Sequence, residues 1–387
     1  MFRECFAMFS VRGAAIRCHC FDSWRVWAHR RWTHLVAGPD SHRMRKAPTW
    51  FEFCWVTLIL ASVGACRGPQ PGQPAIESPG PAAQPASTAA SLLDSPAYRQ
   101  WELPEIAGVW RARSIKQDAA VIDLLIAPRT FAMDDDALER WVHEAASGVA
   151  RYYGTFPVSR TLVVVVGADS GLNGITRGEQ GASVLLQLGA DLTEEKARSG
   201  WILTHELLHV TFPSLDRRRY AWVGEGLSSY LEPLVRVRAG TLTVDELWRD
   251  LLRDAAQGLP ESNDQGLDHT PTWGRTYWGG ALFWLEADLT IREQTGGRHS
   301  LDDALRAIAR NGGTVTATWT IERLLETGDK ATETHVLSEL HRLRGQTPAA
   351  LELDLLWRKL GVRLQGERVV FDDAAPWAEL RVGLTVQ

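Results

Sequence analysis

The sequence predicts an α+β fold, with strands and one helix in the first part of the ordered chain and helices in most of the rest. Three observations carry that expectation. Apolar runs of strand length recur at residues 119–126, 161–167 and 182–188. Between the first two, Asp134-Asp135-Asp136 offers an N-cap and an acidic first turn for a helix that should run to about Tyr153, where Gly154-Thr155-Phe156-Pro157 breaks it. From about residue 225 the apolar spacing turns helical and stays so to about Leu360.

The opening residues are of another kind. Residues 1–43 hold Cys18-His19-Cys20 and scattered tryptophans with little periodicity, and no second metal-ligand pair follows at zinc-site spacing. We read them as lying upstream of the true start, Met44. From there Arg45-Lys46 gives a basic beginning and residues 53–65 an apolar run too short to span a bilayer comfortably, so residues 44–66 read as an export signal. The run ends in Val63-Gly64-Ala65-Cys66, small residues before a cysteine, as in a bacterial lipoprotein box. Lipidation of Cys66 would tether the chain to a membrane in the bacterial cell envelope. Residues 67–97, dominated by Pro, Gly, Ala, Ser and Gln, read as the disordered linker such a tether needs, leaving 98–387 as the folded domain.

Composition bounds the function. The chain has 387 residues, 45% of them hydrophobic, enough for a sizeable core. Beyond residue 65 it carries 33 basic against 43 acidic side chains, a net charge of −10 that argues against nucleic acid as a partner, since phosphate binding needs basic surface. All five cysteines lie at or before position 66, so neither disulfides nor thiolate ligands operate in the folded part.

The stretch with chemistry in it is Trp201-Ile202-Leu203-Thr204-His205-Glu206-Leu207-Leu208-His209-Val210. On a helix, residues four apart share a face, so His205 and His209 can aim at one point while Glu206 sits one residue round. This H-E-x-x-H pattern binds Zn²⁺ through two neutral imidazoles, with the glutamate as general base. Catalytic zinc takes a third protein ligand, and Glu225 supplies a carboxylate soon after. Further on, Thr243 to Trp248 opens a helix, residues 261–273 form a polar loop, Tyr277 starts a long helix, and Ser300-Leu301-Asp302-Asp303 caps another. Gly279-Gly280 within a helical pattern costs about 1 kcal/mol each relative to alanine, which points to a close backbone approach near the site. The end of the chain, at 362–365, 369–371 and 380–382, reads as short strands.

His205-Glu206-Leu207-Leu208-His209 followed by Trp222-Val223-Gly224-Glu225-Gly226-Leu227-Ser228-Ser229-Tyr230 resembles the gluzincin metallopeptidases, whose second signature reads roughly W-x-x-E-G-x-x-x-Y. Tyr277-Trp278-Gly279-Gly280-Ala281-Leu282, then Asp288 to Glu293, Thr295-Gly296-Gly297 and Ser300 to Asp303, is similar to the glycyl aminopeptidase family within that clan. The resemblance covers roughly residues 150–311. It implies a thermolysin-like, two-lobed fold: a small mixed β-sheet N-lobe over 98–221 carrying the zinc helix, and a mainly helical C-lobe over 222–387. It also implies one Zn²⁺ held by His205, His209 and Glu225, peptide hydrolysis with Glu206 as base, and a peptide or protein substrate. Tyr277 matches the family's catalytic tyrosine, a phenol that stays protonated at neutral pH and can donate to an oxyanion.

The match has departures. Aminopeptidases of the wider clan hold the substrate amine with a G-x-M-E-N-like glutamate, whereas residues 178–183 here read Gly-Glu-Gln-Gly-Ala-Ser, leaving Glu179 as the candidate and exopeptidase and endopeptidase activity both open. Glu232 reads as a surface residue, with orientation of a zinc ligand as its other reading, and His143 and His269 as surface or packing residues. A catalytically degenerate fold used as a binding or scaffolding module is the rival function.

Overall fold

The computed structural model describes residues 87–386, so the expectations for the Met44 start, the signal segment, Cys66 and most of the linker lie outside the described residues. The described chain opens with two short helices, α1 (Ala89–Leu93) and α2 (Pro96–Arg99). It continues through β1 (Arg111–Gln117), β2 (Ala120–Ile126), α3 (Asp135–Tyr153), β3 (Arg160–Ala168), β4 (Leu172–Arg177) and β5 (Ser183–Gly189). After α4 (Glu194–Ser199) comes α5 (Ile202–Val210), the segment with both histidines, then α6 (Arg217–Ala239) and α7 (Val244–Asp254).

The strands form one mixed sheet in the order β1-β2-β3-β5-β4, with β2, β3 and β5 parallel and the outer strands antiparallel. Parallel strands covered on both faces read as continuous apolar runs, which is why 161–167 and 182–188 were recognisable. Residues Ile122, Leu124, Val163, Val165, Val184 and Leu186 face the main core, together with Trp141 of α3 and Leu203 and Leu207 of α5. Their neighbours Leu125, Leu162, Val164 and Leu185 face the other way, against Leu92 and Trp101.

That second face corrects the linker boundary. Residues expected to be linker as far as 97 instead form α1 and α2, where Thr88 and Ser95 act as N-caps and Pro96 opens its helix. Leu92 and Trp101 are buried, and the Trp101 indole donates to Ser183 Oγ at 2.8 Å. Small residues dominate the composition there, but a few apolar anchors fix the segment to the sheet.

Helix α3 begins on the expected cap, Asp134, whose side chain accepts from the Ala137 N–H, and ends at Gly154 with φ 87°. Thr243 and Glu246 form a reciprocal cap on α7. Beyond it a π-turn, Arg275–Gly279, runs into α8 (Gly280–Thr295), so Tyr277 lies in the widened turn that precedes the long helix. Helices α9 (Leu301–Arg310), α10 (Ile321–Thr332), α11 (Val336–Leu340) and α12 (Leu353–Leu360) follow. The strand pair β6 (Val362–Gln365) and β7 (Arg368–Phe371) forms as expected. Residues 380–382 do not form a strand. They lie in helix α13 (Ala378–Thr385), whose Ala378, Arg381 and Leu384 are buried at helical spacing. A three-residue apolar alternation does not distinguish the two periods. Among the described residues no helix is long and apolar enough to cross a membrane.

Candidate metal centre

Helix α5 is apolar nearly all round, with Leu203, Leu207, Leu208 and Val210 buried, and this fixes its rotation. His205 is 3% exposed, and its ring packs edge-on against His209 with centroids 4.8 Å apart. Helix α6 brings the third side chain: a kink at Tyr220 separates its first turn from the rest, and Glu225, beyond the kink, reaches both rings. Its packing is set by glycines. A methyl at Gly226 would lie 2.3 Å from the Gly280 Cα, and one at Gly280 would lie 2.3 Å from the Trp222 carbonyl oxygen. The backbones of α6 and α8 therefore touch directly beside Glu225, the close approach expected from Gly279-Gly280.

Three atoms converge. His205 Nε2 and His209 Nε2 are 3.2 Å apart, and Glu225 Oε2 lies 3.4 and 3.2 Å from them. Tetrahedral ligands at the usual zinc distances of about 2.0–2.1 Å are themselves about 3.3–3.4 Å apart, so the triangle fits that ion. Among the described residues this is the group of His, Cys, Asp and Glu side chains disposed to hold a metal. Electrostatics agree with the geometry. Burial pushes the Glu225 carboxyl up, but the His209 and His205 imidazoles more than reverse it and hold the group well below the usual carboxylate range. Burial pushes His209 down, and Glu225 beside it outweighs that, leaving its pKa raised. Positive charge is favoured where the three atoms meet.

The surroundings orient the ligands. His209 Nε2 turns inward, and its Nδ1 faces Ser228 Oγ at 3.3 Å; with a metal on Nε2, Nδ1 would carry the proton. The second Glu225 oxygen lies 3.7 Å from the exposed Arg217 guanidinium. Glu206 is buried, and Thr176 of β4 reaches its carboxylate with Oγ1 2.7 Å from Oε2. Tyr277 stacks on His205 with centroids 6.4 Å apart and on Trp273 at 5.7 Å, while Trp201 meets His205 edge-on at 5.1 Å.

Other candidates fall elsewhere. Glu232, expected at the surface, is instead buried and paired with Arg236 at 3.0 Å. Burial pushes its pKa up to about 7 against the pull of Arg236. Glu179 is exposed in the turn between β4 and β5, where its carboxylate accepts from the Gly178 N–H. His143 and His269 are exposed. Ser228 and Thr176 were missed. Ser228 was findable, lying three residues past Glu225 and hence on the same helix face, whereas Thr176 is brought in only by the tertiary fold.

No family model matches the chain, and no curated protein matches it in sequence. Solved structures do. An aminopeptidase N family protein from Idiomarina loihiensis superposes with a TM-score of 0.51 at 14% identity, over 67% of this chain and 50% of the other. The chain has an aminopeptidase N-like fold. An M1 zinc metallopeptidase from Deinococcus radiodurans is also similar, with a TM-score of 0.42 and 17% identity over 63% of this chain and 53% of that one. The chain thus spans about half the length of these structures. Within this fold, the paired histidines lie on the helix beside the edge strand, and the carboxylate on the helix that follows.

Proposed function

We propose that the chain is a zinc-dependent peptidase of two-lobed, thermolysin-like build, cleaving a peptide or protein substrate in a cleft between its sheet-bearing and helical parts. The observation that carries this is the triangle of His205, His209 and Glu225 with Glu206 next to it. Zn²⁺ bound there supplies a Lewis acid that polarises the scissile carbonyl and makes an attacking water more acidic. The chain's own residues do the rest. His205 and His209 present neutral Nε2 atoms, Ser228 fixes the tautomer of His209, and Arg217 partly neutralises the free oxygen of Glu225. Glu206 takes the water proton and delivers it to the leaving amine. Tyr277, in the π-turn against His205, donates its phenol proton in a hydrogen bond to the oxyanion that develops.

Purified full-length chain is expected to retain one zinc per molecule and to hydrolyse a mixed peptide library, with activity lost to a chelator and restored by added Zn²⁺. Hydrolysis indifferent to chelation would remove the proposal. Stoichiometric zinc without turnover would favour the binding-module alternative.

We also propose that residues 44–66 act as a lipoprotein signal and that Cys66, lipidated, holds the enzyme at the bacterial envelope; the support is the small-residue run Val63-Gly64-Ala65 before that cysteine. In a bacterial host the wild-type chain should then fractionate with membranes and Cys66→Ala with the soluble fraction. An unchanged membrane share in Cys66→Ala would count against the anchor.

A further inference from the structure

Strand β4, at the edge of the sheet, runs against the helix that carries Glu206. Gly174 makes this possible: a methyl there would lie 2.5 Å from Glu206 Cγ and 2.8 Å from Ile202 Cγ2. Two residues on, and so on the same side of the strand, Thr176 places Oγ1 2.7 Å from Glu206 Oε2 and 2.9 Å from the Glu206 main-chain oxygen. The strand is itself held in register, with Thr176 opposite Val184 of β5. The hydroxyl is therefore mounted on a fixed element and aimed at the functional end of a side chain on another.

We propose that Thr176 is a positioning residue for Glu206, an inference that rests on the peptidase reading above. A threonine hydroxyl has one proton to donate and lone pairs with which to accept. Donated to Oε2, the proton fixes the carboxylate plane and leaves Oε1 as the oxygen that takes the proton from water. Once Glu206 has taken a proton from water on Oε1, Oε2 is the carbonyl oxygen of the acid and goes on accepting from the same hydroxyl. The transferred proton passes from water to Glu206 and then to the leaving amine, and the threonine keeps its own throughout. Both forms of Glu206 are thus held in one place, so turnover needs no search among rotamers.

The test compares Thr176→Val, which removes the hydroxyl at nearly constant volume, with Thr176→Ser, which keeps it. Full-length protein is assayed on a quenched-fluorescence peptide mixture, and kcat is expressed per zinc-loaded molecule. Thr176→Val is expected to lower kcat roughly 10- to 100-fold with KM and zinc content unchanged, and Thr176→Ser to recover most of that loss. A residue that only supports the fold would change melting temperature and zinc content and leave turnover per loaded molecule alone, which would overturn the inference. So would equal losses in the serine and valine variants. Should the valine variant fail to fold, Thr176→Ala provides the second hydroxyl-free form. Wild-type activity that is lost in Glu206→Gln but unchanged in Thr176→Val leaves the peptidase reading standing and removes this one. An inactive wild-type chain overturns both.

Discussion

Glu206→Gln is expected to lower kcat for peptide hydrolysis by roughly 10³, about 4 kcal/mol of transition-state stabilisation, while the chain keeps its zinc. Glutamine has nearly the same shape and still offers a polar atom to Thr176 Oγ1, 2.7 Å from Oε2 in the native chain. It cannot accept a proton. The three atoms of the triangle belong to His205, His209 and Glu225, so the substitution leaves the whole ligand set in place. Binding and chemistry should therefore separate: unchanged zinc stoichiometry and a similar KM, with the loss confined to turnover. Activity within about tenfold of the wild type would mean that another group takes the proton. Loss of zinc in step with activity would mean that Glu206 belongs to the ligand set.

Why that separation could be anticipated from sequence, and why other features could not, comes down to range. His205 and His209 are four apart on one helix, so their convergence is a property of local geometry, and the apolar residues between them set which way they face. Glu225 needed a pattern on the next helix but no long-range pairing. The central strands were legible because burial on both faces makes them continuously apolar. Edge strand β4 was not. Leu172-Asn173-Gly174-Ile175-Thr176-Arg177 contains an asparagine and a glycine and alternates weakly, because its glycine serves contact with Glu206 rather than strand propensity. Thr176 was hidden for the same reason, since its role exists only once the sheet edge lies on α5. Glu232 misled in the opposite direction: a helical glutamate is usually solvated, and only the tertiary fold buries it against Arg236. At 89–97, the small-residue composition masks Thr88 and Ser95, the caps on which α1 and α2 begin.

Gly280→Ala is expected to destabilise the protein by roughly 2–3 kcal/mol and to weaken zinc binding, against the usual rule that alanine is the better helix former by about 1 kcal/mol. The reason is the crossing of α6 and α8. The added methyl would stand 2.3 Å from the Trp222 carbonyl oxygen and 2.8 Å from Gly226 Cα, both backbone atoms that no side-chain rotation can move aside. The helices must separate, and α6 carries Glu225 and Ser228, so the carboxylate is drawn from the histidines and His209 loses its orienting partner. Gly226→Ala should behave alike, because its methyl would meet Gly280 Cα at 2.3 Å from the other side. Gly224→Ala is the control within the same helix: its methyl would rest 3.8 Å from the His209 ring, an ordinary contact, so thermal stability should be kept or slightly raised. Thermal unfolding of the three variants with and without Zn²⁺ decides the matter. If Gly280→Ala melts with Gly224→Ala and binds zinc as tightly, the direct contact of the two backbones is not what holds Glu225 in reach of the metal.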